Sequence, residues 1–360
     1  MRPLTTAHVS TARGMRGGER QARLLLRGLR ERGHECVLYA SSAGVFGRRM
    51  RQEGFETVEL PFRSEIDLVS VWRLARALGR SRPDVVQFHD GHAVTLGGLA
   101  ARLAGLRATV ATRRVDYSIR SAWKWRRLAA RVIAVSRFAR DVAVAGGISP
   151  ARAHVVYSSV ETARFEGRDG ARARAALGLA ESARIVSCSA ALVPQKSHAD
   201  LLAALPRVMG GHPDVTVLLV GTGELETPLR EQARALGLSS DRLRFLGWRE
   251  DVPDILAASD LFVMPSRYEG LCTAVLEAMW CGVPVVTTDA GGLPEAVGDC
   301  GRVVPAGRPD DLAAALAGAL ADPRGMGFLA RRARARVEEL FTPDVMVEGT
   351  LAVYAEIVGA

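Results

Sequence analysis

Short apolar runs alternate with longer amphipathic stretches along almost the whole chain, and this alternation limits the possible folds more than any other feature. Strand and helix signals in turn are the pattern of a parallel sheet covered by helices. Thr5–Ser10 reads as a first strand. Glu19 to Arg32 reads as a helix that turns Leu24, Leu25, Leu26 and Leu29 inward and stops at Gly33. Cys36–Ala40, Thr57–Leu60, Asp84–His89, Ala108–Thr112 and Arg131–Val135 read as further strands, with a helix near His92 to Ala104. After a boundary near Glu161–Gly170 the alternation resumes. Strands read at Arg184–Ser189, Val215–Val220, Arg242–Leu246, Leu261–Met264 and Val283–Thr287, and a helical segment at Thr342 to Val358.

A chain of 360 residues is too long for one ordinary core and suits two α/β domains. With 48% apolar and 24% charged residues it has a globular composition. No apolar run approaches the roughly 20 residues of a membrane-spanning helix. The N-terminus leads directly into a strand, so no signal peptide is expected. Cys36, Cys188, Cys272, Cys281 and Cys300 are scattered without a C-x-x-C pair, which points to free thiols in a reducing cytoplasm and to no metal site.

Charge divides the chain. Residues 1–165 hold 29 Arg and Lys against 13 Asp and Glu, a net of +16; the remainder holds 19 against 26, a net of −7. A basic half suits an anionic partner such as lipid headgroups, a phosphorylated glycan or nucleic acid. The interleaved aromatics of a nucleic-acid-binding sheet are missing, so no nucleic acid is expected. Ser121 to Arg127, with Trp123, Lys124 and Trp125, reads as a basic aromatic helix, suited either to a membrane interface or to one buried aromatic face.

Only Lys124 and Lys196 are lysines in an otherwise arginine-using chain. A lysine is a compact point charge suited to a phosphate oxygen. Glu269 and Glu277 lie eight positions apart: Glu269 reads in the loop after a buried strand, at the mouth of a helix expected to start near Gly270, and Glu277 about two turns further along, roughly 12 Å away along the axis. A helix N-terminus favours phosphate, so a diphosphate there could place a sugar near Glu269 and a ribose near Glu277. The two glutamates could equally cap and solubilise a helix. Gly17-Gly18 and Gly221-Thr-Gly223-Glu224 each follow a strand and open a helix, where glycine permits close backbone approach; an ordinary βα turn needs them as well. His89, Asp90 and His92 stand just beyond a strand end, where open α/β sheets bind ligands; capping of the next helix is the competing role. No G-x-G-x-x-G fingerprint supports a nicotinamide cofactor.

The stretch from Ala190 to Glu295 resembles the retaining glycosyltransferases of family 4 (group 1), enzymes of the GT-B fold with two Rossmann-like domains facing across a cleft. The likeness rests on Ala191-Leu-Val-Pro-Gln-Lys196, Gly221-Thr-Gly223-Glu224, Gly247-Trp-Arg-Glu-Asp251, the paired glutamates and Gly282 to Glu295, and extends over most of the chain. The resemblance implies an acceptor-binding domain over 1–165 and a nucleotide-sugar-binding domain over 166–341. A C-terminal helix, 342–360, would pack back on the first domain. It implies transfer from a UDP-, GDP- or ADP-sugar to a glycan or lipid-linked acceptor of the cell envelope, without cofactor or metal. The protein would be cytoplasmic, or peripheral at the inner face of the cytoplasmic membrane. Lys196 would neutralise the leaving diphosphate, Glu269 would position the donor sugar, and His89 and Arg114 would serve the reacting sugar or acceptor. Gly17, Gly18, Gly221, Gly223, Arg249, Ser266, Gly270, Leu271, Cys272, Thr273 and Glu277 would line the donor.

Three places depart from the family pattern: Ser158-Ser159 stands where the interdomain stretch usually has an Asn/Ser-Gly turn, Arg113 or Arg114 where many members have a histidine, and Ala191 where many have an arginine. Arg113, Arg114 or Arg249 would have to replace that charge. A catalytically silent scaffold that binds glycan or anionic lipid is the alternative.

Overall fold

The computed structural model describes residues 2–64, 67–114 and 122–359, and the chain divides into two compact units, Met1–Ser159 with Pro343–Ala360, and Val160–Thr342. The boundaries thus fall at 159/160 and 342/343, where the sequence reading has 165/166 and 341/342.

The first unit runs β1 (Thr5–Ser10), α1 (Gly17–Glu31), β2 (Glu35–Ser41), α2 (Val45–Gln52), β3 (Glu56–Leu60), α3 (Leu68–Ser81), β4 (Val85–Phe88), α4 (Gly91–Leu103), β5 (Thr109–Arg113), α5 (Ala122–Leu128), β6 (Arg131–Ala134), α6 (Arg137–Ala145) and β7 (Ala153–Val155). Its seven strands are parallel in the order β3-β2-β1-β4-β5-β6-β7. The winding reverses between β1 and β4, and such switch points open a crevice at the strands' C-terminal ends.

The second unit runs α7 (Gly170–Ala176), β8 (Arg184–Ser189), α8 (His198–Gly211), β9 (Val215–Val220), α9 (Glu226–Ala235), β10 (Leu243–Gly247), α10 (Val252–Ala257), β11 (Leu261–Met264), α11 (Thr273–Trp280), β12 (Val285–Thr288), α12 (Leu293–Val297), β13 (Arg302–Val304), α13 (Pro309–Ala321) and α14 (Pro323–Leu340). Its order is β10-β9-β8-β11-β12-β13, again parallel, with the reversal between β8 and β11.

The last helix, α15 (Pro343–Val358), belongs to the first unit. Val347, Val353 and Tyr354 bury beside Leu25 and Leu29 of α1 and Val85, Val110 and Ile133 of the sheet. The Tyr354 hydroxyl donates to Gln87 Oε1, and Gln87 Nε2 donates to Thr112 Oγ1 at 2.8 Å, so the helix also ties into buried polar groups of β4 and β5. Gly28 makes the close approach possible: a Cβ there would lie 2.5 Å from Val347 Cγ2. The opposite sheet face buries Leu74 and Leu78 of α3 and Leu96 and Ala100 of α4 against Val9, Val86 and Phe88.

Three sequence expectations need correction. The first helix begins at Gly17 rather than Glu19, because Glu19 Oε2 accepts from Arg16 N at 2.9 Å and closes the first turn two residues earlier. The helix expected from Gly270 begins at Thr273, since Cys272 at its N-cap takes φ 69°, a left-handed conformation that ends any continuous helix through Gly270. The axial spacing for Glu269 and Glu277 that assumes one helix through both therefore does not apply. In the basic aromatic stretch, Ser121 lies outside the described residues. The remainder forms α5, with Trp125 buried and Trp123 exposed.

Candidate functional site

In the second unit the loops leaving β8 and β11 meet at the switch point, and they carry Lys196 and Glu269. The Lys196 ammonium donates directly to Glu269 Oε1, which also accepts from Ser266 Oγ at 2.9 Å. Glu269 is 8% exposed and sits in the loop Pro265–Cys272, ahead of α11. Burial opposes the charge on Lys196, but its negative surroundings, with Glu269 in direct contact, hold its pKa above the ordinary lysine value. Burial also pushes the nearby Cys188 thiol up to about 12 and Cys272 higher still, so both are neutral thiols at physiological pH. The same burial, with Lys196 beside it, lowers His198 to about 4.

This arrangement is held by its backbone. Arg267 N donates to Gln195 O at 2.8 Å, and the Arg267 guanidinium reaches Ser197 Oγ at 3.1 Å and Asp200 at 3.0 Å, joining the β11 loop to the β8 loop. The loop after β9 closes from the other side: Leu192 N donates to Thr222 O and Leu225 N to Leu192 O, both at 3.0 Å. Gly221 and Gly223 are required here, since a Cβ on either would lie 2.0 Å from Ala190 O or 2.3 Å from Leu192 O. Ser266 is fixed by Thr288 Oγ1, which donates to its carbonyl at 2.5 Å.

Thr273 is the first residue of α11, where the backbone N–H groups lack intrahelical partners. Leu271 and Cys272 bury their side chains, so these two positions can offer a ligand only backbone. Gly270 O lies where a Cβ on Gly292 would clash at 2.1 Å, which explains the glycine in the Ala290-Gly-Gly292 turn. Glu277 lies on α11 near Cys281, whose thiol is raised to about 12 by burial and then by Glu277. Arg249 is engaged by Asp251 in a bidentate pair at 2.7 and 2.6 Å.

In the first unit the switch point gathers His89, Asp90 and Arg114. Asp90 caps α4 by accepting from Ala93 N at 2.8 Å and also holds the end of β1, accepting from Thr11 N at 2.7 Å and Thr11 Oγ1 at 2.6 Å. The capping role thus describes Asp90. His89 is buried and stacks on His8, a residue the sequence reading passes over, with His8 Nδ1 and His89 Nε2 3.0 Å apart. Burial lowers His8 to about 3, and burial, His8 and Arg114 lower His89 well below the usual range. Arg114 Nη1 donates to His89 O at 3.1 Å. Its burial lowers its pKa to about 10 against the opposing pull of Glu19 and Asp90, so it remains a cation at neutral pH. Arg113 is buried, with its guanidinium 5.9 Å from the Trp125 ring centroid.

Gly17 and Gly18 are the first two residues of α1. Neither has a positive φ; among the described residues a Cβ on Gly17 would meet nothing within 4 Å, and one on Gly18 only the Arg114 side chain, Cδ at 3.5 Å and Nε at 4.0 Å. Packing among the described residues does not require them. His92 borders a cavity of about 300 Å³ that Thr11, Arg13, Arg63 and Ser64 also line.

Two parallel α/β units of this kind define the GT-B class. The solved structure of Anabaena Alr3699/HepE in complex with UDP-glucose matches with a TM-score of 0.87 at 23% identity, over 98% of this chain and 100% of that one. Residues 15–164 match the family model described as Glycosyltransferase Family 4, and residues 183–322 the one described as Glycosyl transferases group 1. The chain is 33% identical over 318 residues to the GDP-mannose-dependent alpha-(1-6)-phosphatidylinositol monomannoside mannosyltransferase of Mycolicibacterium smegmatis, covering 81% of this chain and 83% of that protein. It is 35% identical over 204 residues to the GDP-mannose-dependent monoacylated alpha-(1-6)-phosphatidylinositol monomannoside mannosyltransferase of Corynebacterium glutamicum, and the match spans about half of that protein, 53%. The chain belongs to the group 1 glycosyltransferases, family 4.

Proposed function

We propose that this protein is a retaining glycosyltransferase that moves a sugar from a nucleotide-diphosphate sugar to a glycan or lipid-linked acceptor in envelope synthesis. The observation that carries the proposal is the meeting of Lys196, Glu269 and Ser266 ahead of the N-terminus of α11, at the switch point of the second unit. In this reading the donor diphosphate takes the place of Glu269 as the partner of Lys196. Backbone N–H groups at the start of α11 add to the field on the leaving group. Glu269, released, holds the donor sugar, and Glu277 holds the ribose. The bond from the anomeric carbon to the diphosphate oxygen breaks as the acceptor oxygen attacks from the same face, and the leaving phosphate takes the acceptor's proton. No protein base and no metal are called for.

The first unit then serves the acceptor, with Arg114 close to the bare Gly17-Gly18 backbone. UDP-glucose and GDP-mannose are the donors to try first, because the solved structure and the two mannosyltransferases name them. The finding that Lys196 and Glu269 engage each other also fits a silent scaffold, and slow donor hydrolysis separates the two. Lys196→Ala and Glu277→Ala should remove most transfer or hydrolysis while the protein stays folded, and the product's anomeric configuration, read by proton NMR, should match the donor's. Near-normal turnover in both folded variants, or an inverted product, would refute the assignment. Turnover unchanged by excess EDTA is expected if no metal takes part.

A further inference from the structure

We propose that His8 is a positioning residue: with Thr6 it fixes His89 in the tautomer whose Nδ1 carries the lone pair, leaving that nitrogen to accept a hydrogen bond from a hydroxyl of a bound sugar. The last clause rests on the glycosyltransferase reading above; the tautomer does not.

Cys36 Sγ donates to Leu26 O at 3.9 Å, so its sulfur is free to accept. The Thr6 hydroxyl has one proton and two such acceptors, Glu35 O at 3.1 Å and Cys36 Sγ at 3.4 Å. With the hydroxyl donating to Glu35 O, Thr6 Oγ1 accepts from His8 Nε2, 2.9 Å away, and that nitrogen carries the His8 proton; the reverse order would strand an N–H on buried His89 Nδ1, the costlier orphan. His8 Nδ1 is then bare and accepts from His89 Nε2 at 3.0 Å. A neutral imidazole has one N–H, so His89 Nδ1 is the lone-pair nitrogen. Both rings are neutral, because burial disfavours the imidazolium in each.

His89 Nδ1 is buried and has no partner among the described residues, and His89 as a whole is 6% exposed. Buried polar atoms are rarely left so, and those that are call for a functional account. The groups packed over the lone pair shelter it from bulk water, and a sugar hydroxyl reaches it as they move aside on binding. Its position agrees with that use, since β1 and β4 flank the switch point, and His89 follows β4 directly. Arg114 Nε, on the side chain that donates to the His89 carbonyl, is likewise buried and without a partner among the described residues. One orphan accepts and the other donates, and a hydroxyl can do either.

The test compares the unmodified protein with His8→Asn, His8→Phe and His89→Phe, with thermal unfolding as the check on folding. Asn Oδ1 stands where Nδ1 was and can still accept from His89, whereas Phe cannot. Long-range nitrogen–proton NMR on selectively labelled histidine should show His89 with Nε2–H and a bare Nδ1 in the unmodified protein and in His8→Asn. A mixture of tautomers is expected in His8→Phe. Turnover of UDP-glucose or GDP-mannose should fall about tenfold in folded His8→Phe and His89→Phe and stay within about threefold in His8→Asn. An Nδ1–H on His89 in the unmodified protein, or equal turnover in the Asn and Phe variants of His8, would overturn the assignment. A protein that neither binds nor turns over either nucleotide sugar overturns the functional reading and the sugar contact with it, while the tautomer result still decides the role of His8.

Discussion

Lys196 and Glu269, 73 residues apart, hold each other directly across the point where the second sheet reverses its winding. Each is mostly buried, with side-chain exposures of 23% and 9%, so neither charge is well served by water. Removing one partner leaves the other buried and unanswered, which costs more than removing both. Lys196→Met should therefore lose about 2 kcal/mol or more, and Lys196→Met combined with Glu269→Gln should recover part of it. Urea unfolding measures both, and strictly additive losses would contradict the coupling. The folded pKa of Lys196 is raised, so its contribution is complete below the ordinary lysine value of 10.5 and is lost only as pH climbs through the folded value. No effect from the titration of Lys196 is expected between pH 6 and 8.

The two stacked histidines predict acid sensitivity. A histidine whose folded pKa is depressed stabilises the protein above its unfolded pKa near 6.5, and that stability is lost as pH falls toward the folded value, about 3 for His8. Within that window each such histidine steepens the fall by about 1.4 kcal/mol per pH unit. Unfolding free energies at pH 6, 5 and 4 should decline less steeply in His8→Asn by about that amount. Parallel lines for the two proteins would show that His8 does not titrate on unfolding.

Gly28 and Val347 give a packing prediction. Gly28→Ala gains about 1 kcal/mol of helix propensity but drives a methyl into Val347, and the overpacking should win by about 1–2 kcal/mol. Val347→Ala, harmful alone, should restore much of that loss when combined with Gly28→Ala. Chemical denaturation of the four proteins completes the cycle, and an absence of coupling would mean that α15 shifts freely on α1.

Exposed Trp123 on α5 leads to a membrane prediction. With Leu99, Arg102, Leu103, Arg127 and Leu128 it borders a hollow of about 510 Å³ lined by both apolar and basic side chains. No helix among the described residues is long and apolar enough to cross a membrane. Vesicles rich in anionic lipid should bind the protein at low salt and release it as salt rises. Trp123→Ala with Arg127→Ala should weaken that binding severalfold at unchanged stability. Equal binding to neutral vesicles would rule out the electrostatic part.

Most strands were legible because a buried strand in a parallel sheet is a continuous apolar run: Val215–Val220 and Leu261–Met264 stand in the fold with the bounds read from their sequence. β7 and β13 escaped because each has three residues and is only partly buried. The start of α11 was misplaced because nothing in Gly270-Leu-Cys announces a left-handed cysteine. The site was legible in parts. Family resemblance singled out Lys196 and Glu269 but said nothing of their bond. His8 gave no signal, since a single histidine inside a strand looks like any core residue and its partner lies 81 positions away.

The return of α15 to the first unit has a consequence for biosynthesis. Strands β1 to β7 leave the ribosome first, yet the lobe they build still lacks Val347, Val353 and Tyr354, whose side chains complete one face of its interior. Val160–Thr342 has every residue of its own core before that last helix is made. The nascent polypeptide should therefore complete its middle before its beginning, with the earliest-made lobe waiting on the final helix to be synthesised.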